Sequence, residues 1–323
     1  MRALQQTALT GPQAMRLITD VPVPAPGTGE VLVRVGAAGV NFADVMQTRG
    51  TYVGGPRAPY IAGFEAAGEV IDIGPGVTGF ERGDHVIGAG PGAFAEYVVL
   101  PAAGLAPVPA GWTDEQSLGL VLNWATALAA LRLGRVAAGE TVLVQAAAGG
   151  VGQAAVRMAR HHGATVIGTA SAGKHEVVRA LGADHVVDHR TADVAAEVLR
   201  RTAGRGADLV LESVGGDTFG AALAATRRIT GRMVVYGVAG GEATISNRDL
   251  NFTHPVHLIG LHIGILSQAA PDLFAELMAE LAALVAVGVY PPGQPTVHDL
   301  ADGPKVLAEL EARATVGKLA LRP

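Results

Sequence analysis

The stretch TVLVQAAAGGVGQAAVRMAR, residues 141–160, constrains the fold of this chain more than any other segment. It begins as a β-rich apolar strand, passes through a turn of small residues, and continues directly as a helix. A turn of this kind leaves free N–H groups and a partial positive charge at the helix start, where the diphosphate of a dinucleotide binds. Gly149 and Gly152 stand where the dinucleotide pattern has its second and third glycines, one for close backbone approach to the pyrophosphate and one for helix–strand packing. Ala147 replaces the first glycine with another small residue. The candidate cradle is therefore Ala148, Gly149, Gly150 and Val151.

The segments that follow repeat the alternation. ATVIGTA, DHVVDH, DLVLES and RMVVYGV read as strands, and GKHEVVRALG, DVAAEVLRR and GDTFGAALAAT as the helices between them. That order predicts βαβ units and a parallel sheet covered on both faces. Residues 1 to about 120 differ. GEVLVRVGAAGV, AAGEVIDIG, GDHVIGAG and AFAEYVVL are short strands parted by loops such as VPVPAPGTGE, which predicts a compact, mostly antiparallel β unit. Thr113 and Gln116 form a candidate capping box ahead of a helix over LVLNWATALAALRL. PDLFAELMAELAALVAVG is a further amphipathic helix, and the tail from about 291 returns to short segments.

Twenty residues beyond Gly149, where an NAD site places a carboxylate for the ribose hydroxyls, stands Thr169. Ser171 and Lys174 follow it, and Arg190 comes after the next strand. A hydroxyl, an ammonium and a guanidinium suit a 2′-phosphate, so NADPH is the expected cofactor. A net charge of −5 without a basic block argues against nucleic acid as a partner. With no Cys in the chain, disulfides, iron–sulfur clusters and thiolate zinc sites are excluded. The first residues lack the apolar core of a signal peptide, and VHLIGLHIGIL is too short for a membrane span. A cytoplasmic protein is expected.

GVNFADVMQTRGTY, GFEAAGEV, GDHV, AAAGGVG, the SAGK segment and the DHR of VVDHR together resemble the medium-chain dehydrogenase/reductase superfamily, in its zinc-free quinone oxidoreductase (zeta-crystallin-like) branch. The resemblance implies a Rossmann doubly wound parallel sheet inserted in a GroES-like, mostly antiparallel β-barrel catalytic domain. The expected boundaries are 1–122 for the catalytic domain, 123–265 for the nucleotide domain, and 266–323 for the return. It implies that Asn41, Tyr52 and Thr126 lie at the nicotinamide end and that His189 lies near the adenine. Gly237, Val238 and Ala239, then Leu261, His262 and Ile263, are implied to line the cofactor, with Lys318 approaching from the C-terminal segment. Zinc enzymes of the superfamily carry His where GFE has Phe64, and His254, His257 and His262 lack a nearby acid, so no metal is expected. A homodimer paired through an edge strand between RMVVYGV and HLIGLHIG is a further implication.

Without a metal as Lewis acid, charge developing on the acceptor oxygen must be met by hydrogen-bond donors or be delocalised. A quinone or an α,β-unsaturated carbonyl satisfies the second condition; a simple ketone does not. Asn41 and Tyr52 are the expected donors, with Tyr52 also placed to protonate the product. Two alternatives stay open: an enoyl-thioester reductase, for which Arg49 and Arg57 flank Tyr52, and a non-catalytic, crystallin-like NADPH-binding protein.

Overall fold

The computed structural model describes residues 1–323, which divide into two compact units, 1–122 with 291–323 and 123–290. In the first unit the chain forms β1 (Ala3–Gln6), β2 (Met15–Ile18), β3 (Glu30–Val40), β4 (Tyr60–Ile61), β5 (Glu65–Ile73), β6 (His85–Ala89), β7 (Tyr97–Pro101) and β8 (Ala106–Pro107). The antiparallel reading of this half holds: β3 pairs antiparallel with β5 and β7, and β5 with β6. A separate three-stranded sheet runs β2-β1-β4. The long strand β3 is buried along most of its length, with Ala37, Ala38 and Val40 all inside.

Thr113 and Gln116 do form a capping box, Thr113 N–H donating to Gln116 Oε1 (2.9 Å) and Gln116 N–H to Thr113 Oγ1 (3.3 Å). The helix they start is only Asp114–Ser117, because Leu118 turns extended (ψ 137) and ends it. The expected helix over LVLNWATALAALRL is present, opening as a π turn over Leu120–Trp124 and running on without a break as an α-helix over Ala125–Leu133.

The second unit holds β9 (Thr141–Val144), β10 (Thr165–Thr169), β11 (His185–Val187), β12 (Leu209–Glu212), β13 (Arg232–Val235) and β14 (His257–Gly260), all parallel. Their spatial order is β11-β10-β9-β12-β13-β14. Counted from β9 that is 3-2-1-4-5-6, the doubly wound order, with its switch point beside β9. The strands read as near-continuous apolar runs because both faces are covered, and Leu143, Ile167, Val210 and Met233 are fully buried among them. β11 and β14 are the two edge strands, and on β14 His257 and Gly260 are exposed.

The amphipathic helix Pro271–Ala286 belongs to this unit, which corrects the expected return at 266 to 291. Leu277, Leu281 and Leu284 are buried on its inner face, while Glu276 and Glu280 both take the Arg132 guanidinium from the helix Ala125–Leu133 at the surface. Tyr290, 2% exposed, closes the unit by stacking on Trp124 and donating its hydroxyl to Ala154 O (3.1 Å). Beyond it the chain re-enters the first unit as β15 (Thr296–Asp299) and β16 (Leu319–Arg322). β16 pairs antiparallel with the end of β3, Leu319 opposite Val40. No helix is long and apolar enough to cross a membrane.

Candidate functional site

In the second unit every expected cofactor segment except Thr126 follows the C-terminal end of a parallel strand, the edge at which doubly wound sheets bind ligands. After β9 the turn enters the left-handed region at Ala146 (φ 48), one residue before the replaced glycine. Ala147 is fully buried, and its N–H donates to Thr169 O (2.9 Å). The neighbouring strand makes room for its methyl: a Cβ on Gly168 would lie 2.9 Å from Ala147 Cβ. Gly152 has no such latitude. A Cβ there would sit 2.3 Å from Ala146 O and 2.7 Å from Ala147 Cα, both backbone atoms. Gly149 caps the helix Gly150–His161, whose first N–H groups open onto the turn.

Ser171 precedes a single turn, Ala172–Lys174, after β10, and His189 and Arg190 follow β11. Asp188 ties the two loops together, accepting from Ala172 N–H (3.1 Å) and Arg190 N–H (2.9 Å). Lys174 is thereby brought near Arg190: burial, and then the Arg190 charge, lower its pKa. Two cations held in mutual repulsion at the ends of adjacent strands make a favourable place for an added anion.

Gly237, Val238 and Ala239 follow β13 and are laced to the loop after β12, Ala239 N–H donating to Ser213 O (3.2 Å) and Gly216 N–H to Gly241 O (2.9 Å). Glu212, fully buried, folds back on that loop and accepts from Val214 N–H (2.6 Å) and Gly215 N–H (2.7 Å). Burial raises its pKa. Leu261 is buried, and Ile263 opens a short helix that His262 caps, its Nδ1 accepting from Ile265 N–H (3.2 Å). Thr126 is buried in the helix Ala125–Leu133.

The first unit carries a buried polar cluster. Asn41 caps the helix Phe42–Arg49, its N–H donating to Asp44 Oδ2 (2.8 Å). Its side-chain Nδ2 donates to Glu65 Oε2 (3.0 Å) and to Gly39 O (3.2 Å). Lys318 arrives on the segment before β16 and donates to Asn41 Oδ1 (2.8 Å), Val40 O (3.3 Å) and Glu65 Oε2. Glu65, fully buried, also accepts from Gly119 N–H (2.6 Å). Gly39 is required beneath this pair, since a Cβ there would lie 2.2 Å from Glu65 Oε2. The donor on one side and the acceptor on the other fix which way the Asn41 amide faces.

This network shows where two of the expected site residues spend their N–H groups. An amide has two N–H bonds, and both of those of Asn41 are committed inward, so it has none left to donate to a substrate oxygen. An ammonium has three, and Lys318 places all of its own on Val40, Asn41 and Glu65. Asn41 and Lys318 thereby join β3, β5 and the segment before β16. Tyr52, half-buried after the helix, has its pKa raised by burial and then by the Asp44 charge. Sequence reading missed Glu65, Asp44 and Glu212. The first two had signals, in the Glu that completes GFE and in an acid three residues after a helix cap.

The donor set does not fit zinc. Phe64 stands in the position of a ligand, Cys is absent, and no three His, Asp or Glu side chains converge anywhere in the chain; His254, His257 and His262 are no exception. The doubly wound order, the Gly152 contact and the open helix start do fit a dinucleotide.

Two family models match, "Alcohol dehydrogenase GroES-like domain" over residues 27–110 and "Zinc-binding dehydrogenase" over 150–297. The mycobacterial protein Rv1454c, solved in complex with NADPH, is 34% identical, covers 100% of both chains and superposes with a TM-score of 0.94. The Escherichia coli quinone oxidoreductase complexed with NADPH is 30% identical over 100% of both chains, with a TM-score of 0.90. The chain belongs to the medium-chain dehydrogenase/reductase superfamily, alongside its quinone oxidoreductases. A mycocerosic acid synthase-like polyketide synthase of Mycobacterium tuberculosis is 37% identical over 92% of this chain, which spans only 14% of that far longer protein.

Proposed function

We propose that this chain is an NADPH-dependent, metal-independent reductase of quinones or other α,β-unsaturated carbonyls. The observation that carries the reading is the pair of cations, Lys174 and Arg190, gathered beside a dinucleotide turn with Thr169 in place of a ribose-binding acid. Two solved relatives, both NADPH complexes and one of them a quinone oxidoreductase, support it. The turn 146–149 and the start of the helix Gly150–His161 hold the diphosphate, and Ser171, Lys174 and Arg190 hold the 2′-phosphate. A bound reduced nicotinamide supplies the hydride.

The protein's own part is to align the acceptor and to deliver a proton. Tyr52 is assigned as the donor: its O–H bond breaks as the acceptor oxygen, already carrying the charge brought by the hydride, gains the proton. The phenolate then recovers a proton from solvent. We also propose that β14 pairs with its counterpart in a second copy, which would satisfy an otherwise open sheet edge.

Equilibrium titration with NADPH and NADH side by side, in wild type and in Lys174→Ala and Arg190→Ala, tests the cofactor. NADPH affinity is expected to fall about tenfold or more in each variant while NADH affinity holds. Equal affinity of the wild type for the two carriers would overturn this reading. An acceptor panel of quinones, enones and enoyl thioesters, repeated with Tyr52→Phe, tests the chemistry. An unchanged rate in that variant removes Tyr52 from it.

A further inference from the structure

The loops that lead into β12, β13 and β14 lie at the N-terminal edge of the parallel sheet, the edge away from the dinucleotide turn. Between them is a cavity of about 560 Å³, the size of a small-molecule pocket. Leu199, from the helix Val194–Arg201, and Leu223 and Ala224, from the helix Asp217–Ala225, give it an apolar wall. Arg205, Arg227, Arg228 and His254 line it from the three loops. The chemistry proposed above uses none of these residues.

The loops are tied to one another. Arg227 N–H donates to Ala207 O (2.8 Å), Ile229 N–H to Pro255 O (2.6 Å), and the Arg228 guanidinium to Thr253 O (2.9 Å). Two glycines let them close up: a Cβ on Gly231 would lie 2.1 Å from Arg227 O, and one on Gly206 would lie 2.8 Å from Arg227 N. Ile229 is held in the left-handed region (φ 69), which a β-branched side chain rarely adopts. Such strain persists only where the surroundings impose it, and it gathers at ligand sites. Here it fixes the turn that carries Arg227 and Arg228.

The charge of the cavity is unbalanced in a chain whose net charge is −5. Among the arginines of residues 200–232, Arg200 and Arg201 pair with Glu197, Arg227 with Asp208, and Arg232 with Glu140. Arg205 and Arg228 are left without a carboxylate. Their hydrogen bonds go to backbone oxygens only, Arg205 Nε to Thr202 O (3.1 Å) and Arg228 to Thr253 O and Phe252 O. The amides of Gly204, Arg205, Ile229, Thr230 and His254 are already spent on loop carbonyls, so they form no cradle for a phosphate. Recognition falls to guanidinium forks, whose flat donor pairs match the two oxygens of a carboxylate. We propose that this cavity binds a small aliphatic carboxylate, its head met by Arg205 and Arg228 and its chain laid against Leu199, Leu223 and Ala224.

Calorimetric titration of the full chain with octanoate, octanol and octyl phosphate tests the site without any turnover. Octanoate is expected to bind at least about tenfold more tightly than octanol, which keeps the chain and lacks the charge. Arg205→Gln and Arg228→Gln, both at exposed side chains, should each weaken octanoate about tenfold and leave octanol unchanged. Ala224→Phe fills the cavity with both guanidiniums intact and should abolish binding; Ala224→Leu serves if the larger side chain does not fold. Octanoate that binds no better than octanol overturns the proposal. So does octanoate binding that survives all three substitutions, since it would then lie elsewhere on the protein. Tighter binding of octyl phosphate, lost in the same variants, would overturn the assignment of a carboxylate.

Discussion

Replacing Lys318 by Met strips the ammonium from a carboxylate that has no access to water. Glu65 is fully buried and the Lys318 side chain is 11% exposed. In the variant, Glu65 Oε1 keeps Gly119 N–H and Oε2 keeps only the Asn41 amide at 3.0 Å. Removing one partner of a buried pair costs about 3–5 kcal/mol, because the remaining charge is left uncompensated. The slight exposure of Lys318 places this case at the lower end, about 3 kcal/mol, or roughly a 150-fold shift in the folding equilibrium of the first unit. Adding Glu65→Gln should reverse most of the loss. A neutral amide still accepts from Gly119 N–H, and its NH2, standing where Oε2 faced Asn41 Nδ2, is met once the Asn41 amide turns its Oδ1, freed of the ammonium, toward position 65. The double variant should therefore lie within about 1 kcal/mol of wild type. Urea unfolding followed through Trp112, in a Trp124→Phe background so that the first unit reports alone, measures each corner of the cycle. A Lys318→Met cost under about 1 kcal/mol, or a double variant no better than the sum of its parts, would refute the view that this pair is bound by mutual need.

Gly152→Ala should destabilise the second unit by about 1–3 kcal/mol and weaken dinucleotide binding, since its Cβ would meet backbone at 2.3 and 2.7 Å. Gly149→Ala, whose nearest contact would be 3.3 Å, should be far milder in the same thermal unfolding and dialysis measurements, and equal losses would show that helix–turn packing is not the constraint. Asp44 also predicts a pH dependence of stability. Its folded pKa of about 7 lies above the ordinary 3.8, so the stability it allows is fully present below about 4 and is lost as pH rises to about 7. The stability of Asp44→Asn relative to wild type should accordingly grow by up to about 4 kcal/mol between acid and neutral pH, and a gap that does not change with pH would count against a buried acid.

Much of the second unit was legible because its information is local. Apolar runs alternating with helices announced a parallel sheet, and the Gly149–Gly152 turn announced what that sheet holds, through patterns that span fewer than about 20 residues. The Thr113–Gln116 box was legible for the same reason, although the length of its helix was not, because Leu118 takes an extended conformation that the apolar pattern did not reveal. The placement of Pro271–Ala286 was misread because an amphipathic face says that a helix packs, and only the surface that buries Leu277, Leu281 and Leu284 says where.

The roles of Asn41 and Lys318 lay beyond local pattern altogether. Lys318 meets Glu65 across 253 residues of sequence, and the meeting commits every N–H of the ammonium and of the Asn41 amide. Sequence by itself determined the class of fold, the dinucleotide turn and the absence of thiolate ligands, since these follow from residue type and short-range spacing. Tertiary structure alone decided which polar groups are committed and which carboxyl has its pKa raised. Both depend on neighbours that folding brings from elsewhere in the chain, as hydrogen-bond partners in the first case and as desolvation in the second.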